Sequence, residues 1–205
     1  MKITRIEPSK HKKDRILVFF EGDSLLKVTE AELLHFALQA GQDVSPETLT
    51  ELKAAGERST WKATGAAMTG RRMLSRKEVK ERLIKKGAEE NEAEETAAWL
   101  TSIGAVDDAV YAGVIVRHYA ALGYGPGRIR QEFVKRGIAK ELWDDALAQL
   151  GDPTESIERC IAAKMRPGDG KERKKITDAL LRRGFSWNDI RSVLNRRGEE
   201  IEEEV

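Results

Sequence analysis

Hydrophobic positions along residues 1–45 fall in short β-branched and aromatic runs. "KITRIEP" and "RILVFFEG" are separated by the polar stretch "PSKHKKD", and "GDS" leads from the second run into "LLKVTE". Such runs, bounded by turn-forming residues, predict a small antiparallel sheet of two or three strands. Thr29, with Glu32 three residues on, has the spacing of a capping box and predicts a helix "EAELLHFALQAG" ending at Gly41. A sheet this small is marginal alone, so it is expected to pack on that helix or on the next one. From Ser45 the spacing becomes helical. "SPET" supplies an N-cap serine, a proline at the first helical position and an acidic first turn.

The helical region repeats itself. "SRKEVKERLIKKGA" (75–88), "GPGRIRQEFVKRGI" (125–138) and "ERKKITDALLRRGF" (172–185) align without gaps, at spacings of 50 and 47 residues. Apolar residues match at Val79/Ile129/Ile176, Leu83/Phe133/Leu180 and Ile84/Val134/Leu181. Each segment closes on two basic residues and a glycine, followed by an apolar residue: Ala88, Ile138 or Phe185. The glycine suits a left-handed helix end, and the basic pair suits the negative end of the helix dipole. A longer apolar helix precedes each copy (47–73, 107–122, 153–165), and a shorter one follows (89–102, 139–150, 186–196). The predicted fold is therefore mainly α: three tandem three-helix repeats in an elongated array, preceded by a small antiparallel β module with one helix. The expected boundaries are 1–45 for the β module, 46–103, 104–150 and 151–197 for the repeats, and 198–205 for an acidic tail.

Composition adds little until its distribution is considered. The 205 residues are 40% hydrophobic and 35% charged, with a formal net charge of +1. Segment 71–86 nevertheless has eight basic and two acidic residues, and 171–197 has nine and three, whereas 88–95 has five glutamates and no basic residue. Sorted charge makes local fields that a net count hides. Cys160 is the only cysteine, so no intramolecular disulfide forms, and its apolar-periodic setting predicts a small packed hydrophobe. "ILVFF" is too short for a signal-peptide core or a membrane span, which predicts a cytoplasmic protein.

Catalytic patterns are lacking, and a non-enzymatic protein without cofactor or metal is expected. The glycines at 123, 125 and 127 lack the Lys-Ser/Thr ending of a phosphate-binding loop and the strand that precedes a dinucleotide loop. Two readings stay open: Gly123 ends one helix and Gly125-Pro126 starts the next, or the free helix N-terminus holds a phosphate beside Arg128. Chain reversal fits the residue types better. His11, His35 and His118 have no metal-ligand spacing, and His118 is expected at a core edge. Asp107-Asp108 reads as a helix cap rather than a carboxylate pair, and Asp144-Asp145 as a solvated face.

The basic residues carry the candidate site. At about 100° per residue, Ile129, Phe133 and Val134 span an apolar arc with Arg130 within it, and Arg128, Gln131, Glu132 and Lys135 lie opposite. The expected partner-contact residues are Arg71, Arg72, Lys85, Lys86, Arg128, Lys135, Arg136, Arg182, Arg183 and Arg191. Such an edge suits an acidic protein surface or a phosphate backbone. Trp61, Trp99, Trp143 and Trp187 are expected to pack in cores, with base stacking as the alternative.

"RRMLSRKEVKERLIKKG", "GAVDDAVYAGVIVRHYAALGYGPGRIRQEFVKRGI" and "LLRRGFSWNDIRSVL", in this order, resemble the RecX family of bacterial recombination regulators. The resemblance covers about residues 45–195. It implies three tandem three-helix repeats and a modulator that lies in the groove of the RecA–single-stranded DNA filament, limiting its growth, ATPase and strand exchange. The implied partner is RecA, with single- or double-stranded DNA second, no membrane, and a monomeric state. Two alternatives stay open: a helical module that binds single-stranded nucleic acid directly, and a scaffold for another protein.

Overall fold

The computed structural model describes residues 1–12, 14–22, 24–162 and 170–203. Strands β1 (Ile3–Pro8), β2 (Ile16–Phe20) and β3 (Leu25–Val28) form one antiparallel sheet in the order β1-β2-β3. Alternation along β2 buries Val18 and Phe20, and Ile3 and Val28 join them. Leu38, Val44 and Leu52 complete this core. Leu52 belongs to helix α2 (Pro46–Thr69), so the sheet packs on the following helix. Gly56 permits that approach, because a Cβ there would lie 3.0 Å from the Lys27 carbonyl oxygen.

Helix α1 (Glu30–His35) has the expected capping box but stops well before Gly41. Ala37 turns left-handed at φ 47°, and its N–H bonds back to the Leu34 carbonyl. The reversal brings Leu38 and Val44 into the sheet core, which a helix continued to Gly41 would not do. Tertiary burial thus overrides a favourable local helix pattern.

The remaining helices are α3 (Arg76–Lys85), α4 (Glu90–Ser102), α5 (Asp108–Ala121), α6 (Pro126–Arg136), α7 (Trp143–Leu147), α8 (Pro153–Ala162), α9 (Gly170–Arg182) and α10 (Trp187–Glu203). A 3-10 turn over Lys140–Leu142 begins what was expected as one helix over 139–150. The expected helix over 153–165 is seen to Ala162, and its last residues lie outside those described. The backbone of α10 runs to Glu203, through most of the expected tail, and residues 204–205 lie outside those described. Among the described residues, no helix is long and apolar enough to cross a membrane.

The chain divides into two compact units, Met1–Arg72 with Val79–Ala105, and Met73–Glu78 with Val106–Val205. In the first unit Gly65 admits the side chain of Leu100, which would lie 2.8 Å from an added Cβ, and so lets α2 pack closely on α4. Two cores are seen among the described residues of the second unit. Tyr111, Ala112, Ile115, Val116, Ile129, Phe133, Ile138 and Ala146 form one. Ile157, Ile161, Ile176, Leu180, Phe185, Ile190, Val193 and Leu194 form the other, with Cys160 packed at its edge as expected.

Three of the four matched apolar positions are buried in every copy: 79/129/176, 83/133/180 and 88/138/185. The fourth is at the surface, with Ile84 42%, Val134 60% and Leu181 40% exposed. Val134 lies about 140° around α6 from Ile129, which takes it off the core face. Glu132, expected on the solvent side, is instead buried.

Candidate partner-binding surface

The glycine-rich loop before α6 is a joint between helices. Tyr124 follows the left-handed Gly123 (φ 73°), and Gly125 caps α6 with Pro126 as its first residue. The Gly125 N–H donates to the Arg183 carbonyl at 2.8 Å, and the Gly127 N–H donates to the Gly184 carbonyl at 2.9 Å. A Cβ on Gly125 would stand 2.6 Å from the Gly184 oxygen, and one on Gly127 2.9 Å. Two donors that could have served a phosphate are therefore used by the turn that ends α9, which removes the anion-site alternative at this loop.

The same joint occurs once more. Ser75, at the position aligned with Gly125, donates from Oγ to the Arg136 carbonyl at 2.5 Å. A Cβ on Gly137 would lie 2.7 Å from the Lys77 Cβ. Ser75 also makes a reciprocal cap, with Glu78 N–H to Ser75 Oγ and Ser75 N–H to Glu78 Oε2, both at 3.1 Å. In both joints the start of one repeated helix seats on the basic-Gly turn that ends the next.

This packing divides the ten predicted contact residues. Arg136 turns inward: Nη1 donates to the Tyr111 hydroxyl and lies 3.6 Å from Glu78 Oε1, and Nε lies 3.6 Å from Glu132 Oε2. Burial works against its charge, but the Tyr111 oxygen and the Glu78 and Glu132 carboxylates outweigh it and raise its pKa further. Arg128 reaches Glu132 Oε1 at 3.4 Å from the other side. Burial, and then Glu132, push the Tyr119 phenol up. Arg183 is likewise engaged: Nη1 donates to the Gly123 carbonyl at 3.1 Å and approaches Cys160 Sγ at 3.5 Å. Its guanidinium also stands over Tyr124, 5.7 Å from the ring centre.

Arg71, Arg72, Lys85, Lys86, Lys135, Arg182 and Arg191 are exposed. In the first unit Arg71 and Lys86 border a recess of about 340 Å³ with Lys12 and Arg15. The buried Arg15 donates to Ser59 Oγ. In the second unit Arg191 borders a notch of about 500 Å³ with Arg173, Lys174 and Trp187. Lys12, Arg15, Arg173 and Lys174 were not among the predicted residues. The basic bias of 171–197 marked the last two, whereas the first two lie far in sequence from the helices they join.

The acidic stretch has an internal role. Lys80 Nζ lies 3.1 Å from both Glu90 and Glu94, and Glu94 first and then Glu90 raise its pKa. Glu92 accepts the Glu89 N–H at 2.9 Å, capping α4. Asp107 caps α5 through the N–H groups of Ala109 and Val110, as expected. Asp108 accepts the Arg76 N–H at 2.9 Å, and burial pushes its carboxyl up. Asp144 and Asp145 are exposed. His118 lies at the surface rather than at a core edge, its ring edge-on to Tyr119. No cluster of three or more metal-ligating side chains occurs among the described residues. Trp143 packs on Phe133 and donates to the Ile138 carbonyl at 3.0 Å. Trp61 and Trp99 are half-buried, whereas Trp187 is 56% exposed.

Residues 107–147 match the family model of the second three-helix domain of RecX, and residues 161–194 match that of the third. The regulatory protein RecX of Xanthomonas axonopodis pv. citri is 39% identical over 111 residues, covering 52% of this chain and 68% of that protein. The regulatory protein RecX of Lactobacillus delbrueckii subsp. bulgaricus is 27% identical over 198 residues, covering 93% of this chain and 73% of that one. A crystal structure of a regulatory protein RecX superposes with a TM-score of 0.80 at 23% identity, over 95% of this chain and 98% of that one. That of RecX from Lactobacillus salivarius gives 0.62 at 23% identity, over 69% and 97%.

Proposed function

The chain belongs to the RecX family of regulatory proteins, and on that premise we propose that it binds the RecA–single-stranded DNA filament and modulates its growth, ATPase and strand exchange. It acts by binding rather than by catalysis, as a monomer, in the cytoplasm where recombination and repair take place. The observation that supports this reading is the division of labour within the basic-Gly turns. The leading cation of each turn, Lys85, Lys135 or Arg182, is exposed, while Arg136 and Arg183 hold the joints. A cation that recurs at the same position of each repeat suits a partner that is itself repetitive and acidic, because weak contacts add when they are linked. Arg71, Arg72, Lys86 and Arg191 extend the proposed surface.

The test is a titration of RecA with single-stranded DNA and ATP at moderate salt. The expected outcome is a dose-dependent change in ATP hydrolysis that weakens as salt rises. RecA turnover that stays the same at every protein concentration would reject the proposal. A pull-down that recovers another protein and no RecA would favour a scaffold role.

A further inference from the structure

Trp187 opens α10 and is the only exposed Phe, Tyr or Trp side chain among the described residues. Nothing in the repeat calls for it. Three residues after the left-handed glycine, the other copies carry Glu90 and Lys140. The third copy thus presents a large flat ring to solvent, 56% exposed, where the others present a charge. Beneath it Ile190 and Leu194 are buried in the third-repeat core, so the accessible wall is the ring itself. Around the same 500 Å³ notch stand Arg173, Lys174 and Arg191, with Asp178 as the carboxylate among its described lining residues. Arg173 is positioned by a 3.3 Å hydrogen bond from Nη2 to Asn195 Oδ1.

We propose that this notch binds single-stranded nucleic acid directly, with an unpaired base stacked on Trp187 and the flanking phosphates met by Arg173, Lys174 and Arg191. A base presents a flat π-face and a phosphate an anion a few ångströms away, so one nucleotide engages both kinds of group at once. An acidic peptide would pair with the cations and leave the ring in water. Duplex DNA hides its base faces in the stack and offers only its phosphates. The contact needs no RecA and shares only Arg191 with the proposed filament surface.

The experiment is a fluorescence titration of the full chain with an oligothymidylate of about 15 nucleotides, without RecA, over a salt series. Tryptophan emission is expected to be quenched on binding. Trp187→Ala should bind about tenfold more weakly or worse, and Trp187→Phe close to the parent. Lys174→Glu with Arg191→Glu should weaken binding and flatten its salt dependence by roughly one to two in log–log slope. Circular dichroism checks that each variant is folded, and the charge-reversal pair serves if Trp187→Ala does not fold. No binding by the parent would overturn the proposal, as would parent-like affinity in folded Trp187→Ala. Polyglutamate that displaces the oligonucleotide at equal charge would also overturn it, in favour of an acidic peptide. With RecA absent, failure here leaves the ATPase titration to be judged by itself.

Discussion

Arg136 follows Ile129 by seven residues, and seven residues turn a helix by about 700°, so both side chains leave nearly the same face. That geometry draws a basic residue of α6 toward the core beside Glu132, which is 4% exposed. The pair persists because each charge has a counter-charge: Arg128 and Arg136 for Glu132, and Glu78 as a second partner for Arg136. Removing one member of a buried group costs more than the whole group contributes, because the remaining charge is stranded. Glu132→Ala is therefore expected to lower stability by about 3 kcal/mol, and Glu132→Gln by less, in urea denaturation. A Glu132→Ala protein as stable as the parent would show that the two arginines need no carboxylate. Arg183 occupies the corresponding position just after α9 and is held by backbone carbonyls instead of a carboxylate. Lys86 occupies it just after α3 and is exposed.

At the scale of elements, each repeated helix ends on a left-handed glycine: Gly87 (φ 100°), Gly137 (φ 70°) and Gly184 (φ 87°). Their surroundings differ. Nothing lies within 4 Å of a Cβ added to Gly87, whereas one on Gly137 would meet the Lys77 side chain and one on Gly184 the Arg128 backbone. Gly87→Ala should cost about 1 kcal/mol, for the left-handed backbone alone. Gly137→Ala should cost roughly 1–3 kcal/mol more, and Gly184→Ala at least as much, since backbone yields less readily than a lysine chain. Gly137→Val should be worse than Gly137→Ala, because a β-branched residue fits the left-handed region poorly. Thermal melting of the variants orders them. Equal losses at all three glycines would mean that the joints are not close-packed.

At the scale of the whole molecule, the net charge of +1 conceals cations with two different jobs. Arg136 and Arg183 are structural, and Lys85, Lys135 and Arg182 are exposed. Reversing Lys85, Lys135 and Arg182 together to Glu is expected to weaken the effect on RecA ATPase at least tenfold while preserving helical circular dichroism and melting temperature. Reversing Arg183 or Arg136 should instead lower the melting temperature, so Arg182 and Arg183 must not be changed as a pair. An undiminished effect on RecA in the folded triple variant would move the contact surface elsewhere.

The amino-acid sequence by itself determined what local chemistry controls. Thr29, Ser45 and Asp107 cap helices, Gly123, Gly137 and Gly184 end them, and Val79, Leu83 and their counterparts face cores. These outcomes depend on a few neighbouring residues and on the 3.6-residue period, and both are legible in one dimension. Only the tertiary structure decided the early stop of α1, the exposure of Val134, the burial of Glu132 and the carbonyls that fill the glycine loop. It alone separated structural arginines from exposed ones and gathered Trp187 with Arg173, Lys174 and Arg191 around one notch. Each of these depends on which segment packs against which. Desolvation and close approach are set by neighbours remote in sequence, and no periodicity along the chain encodes them.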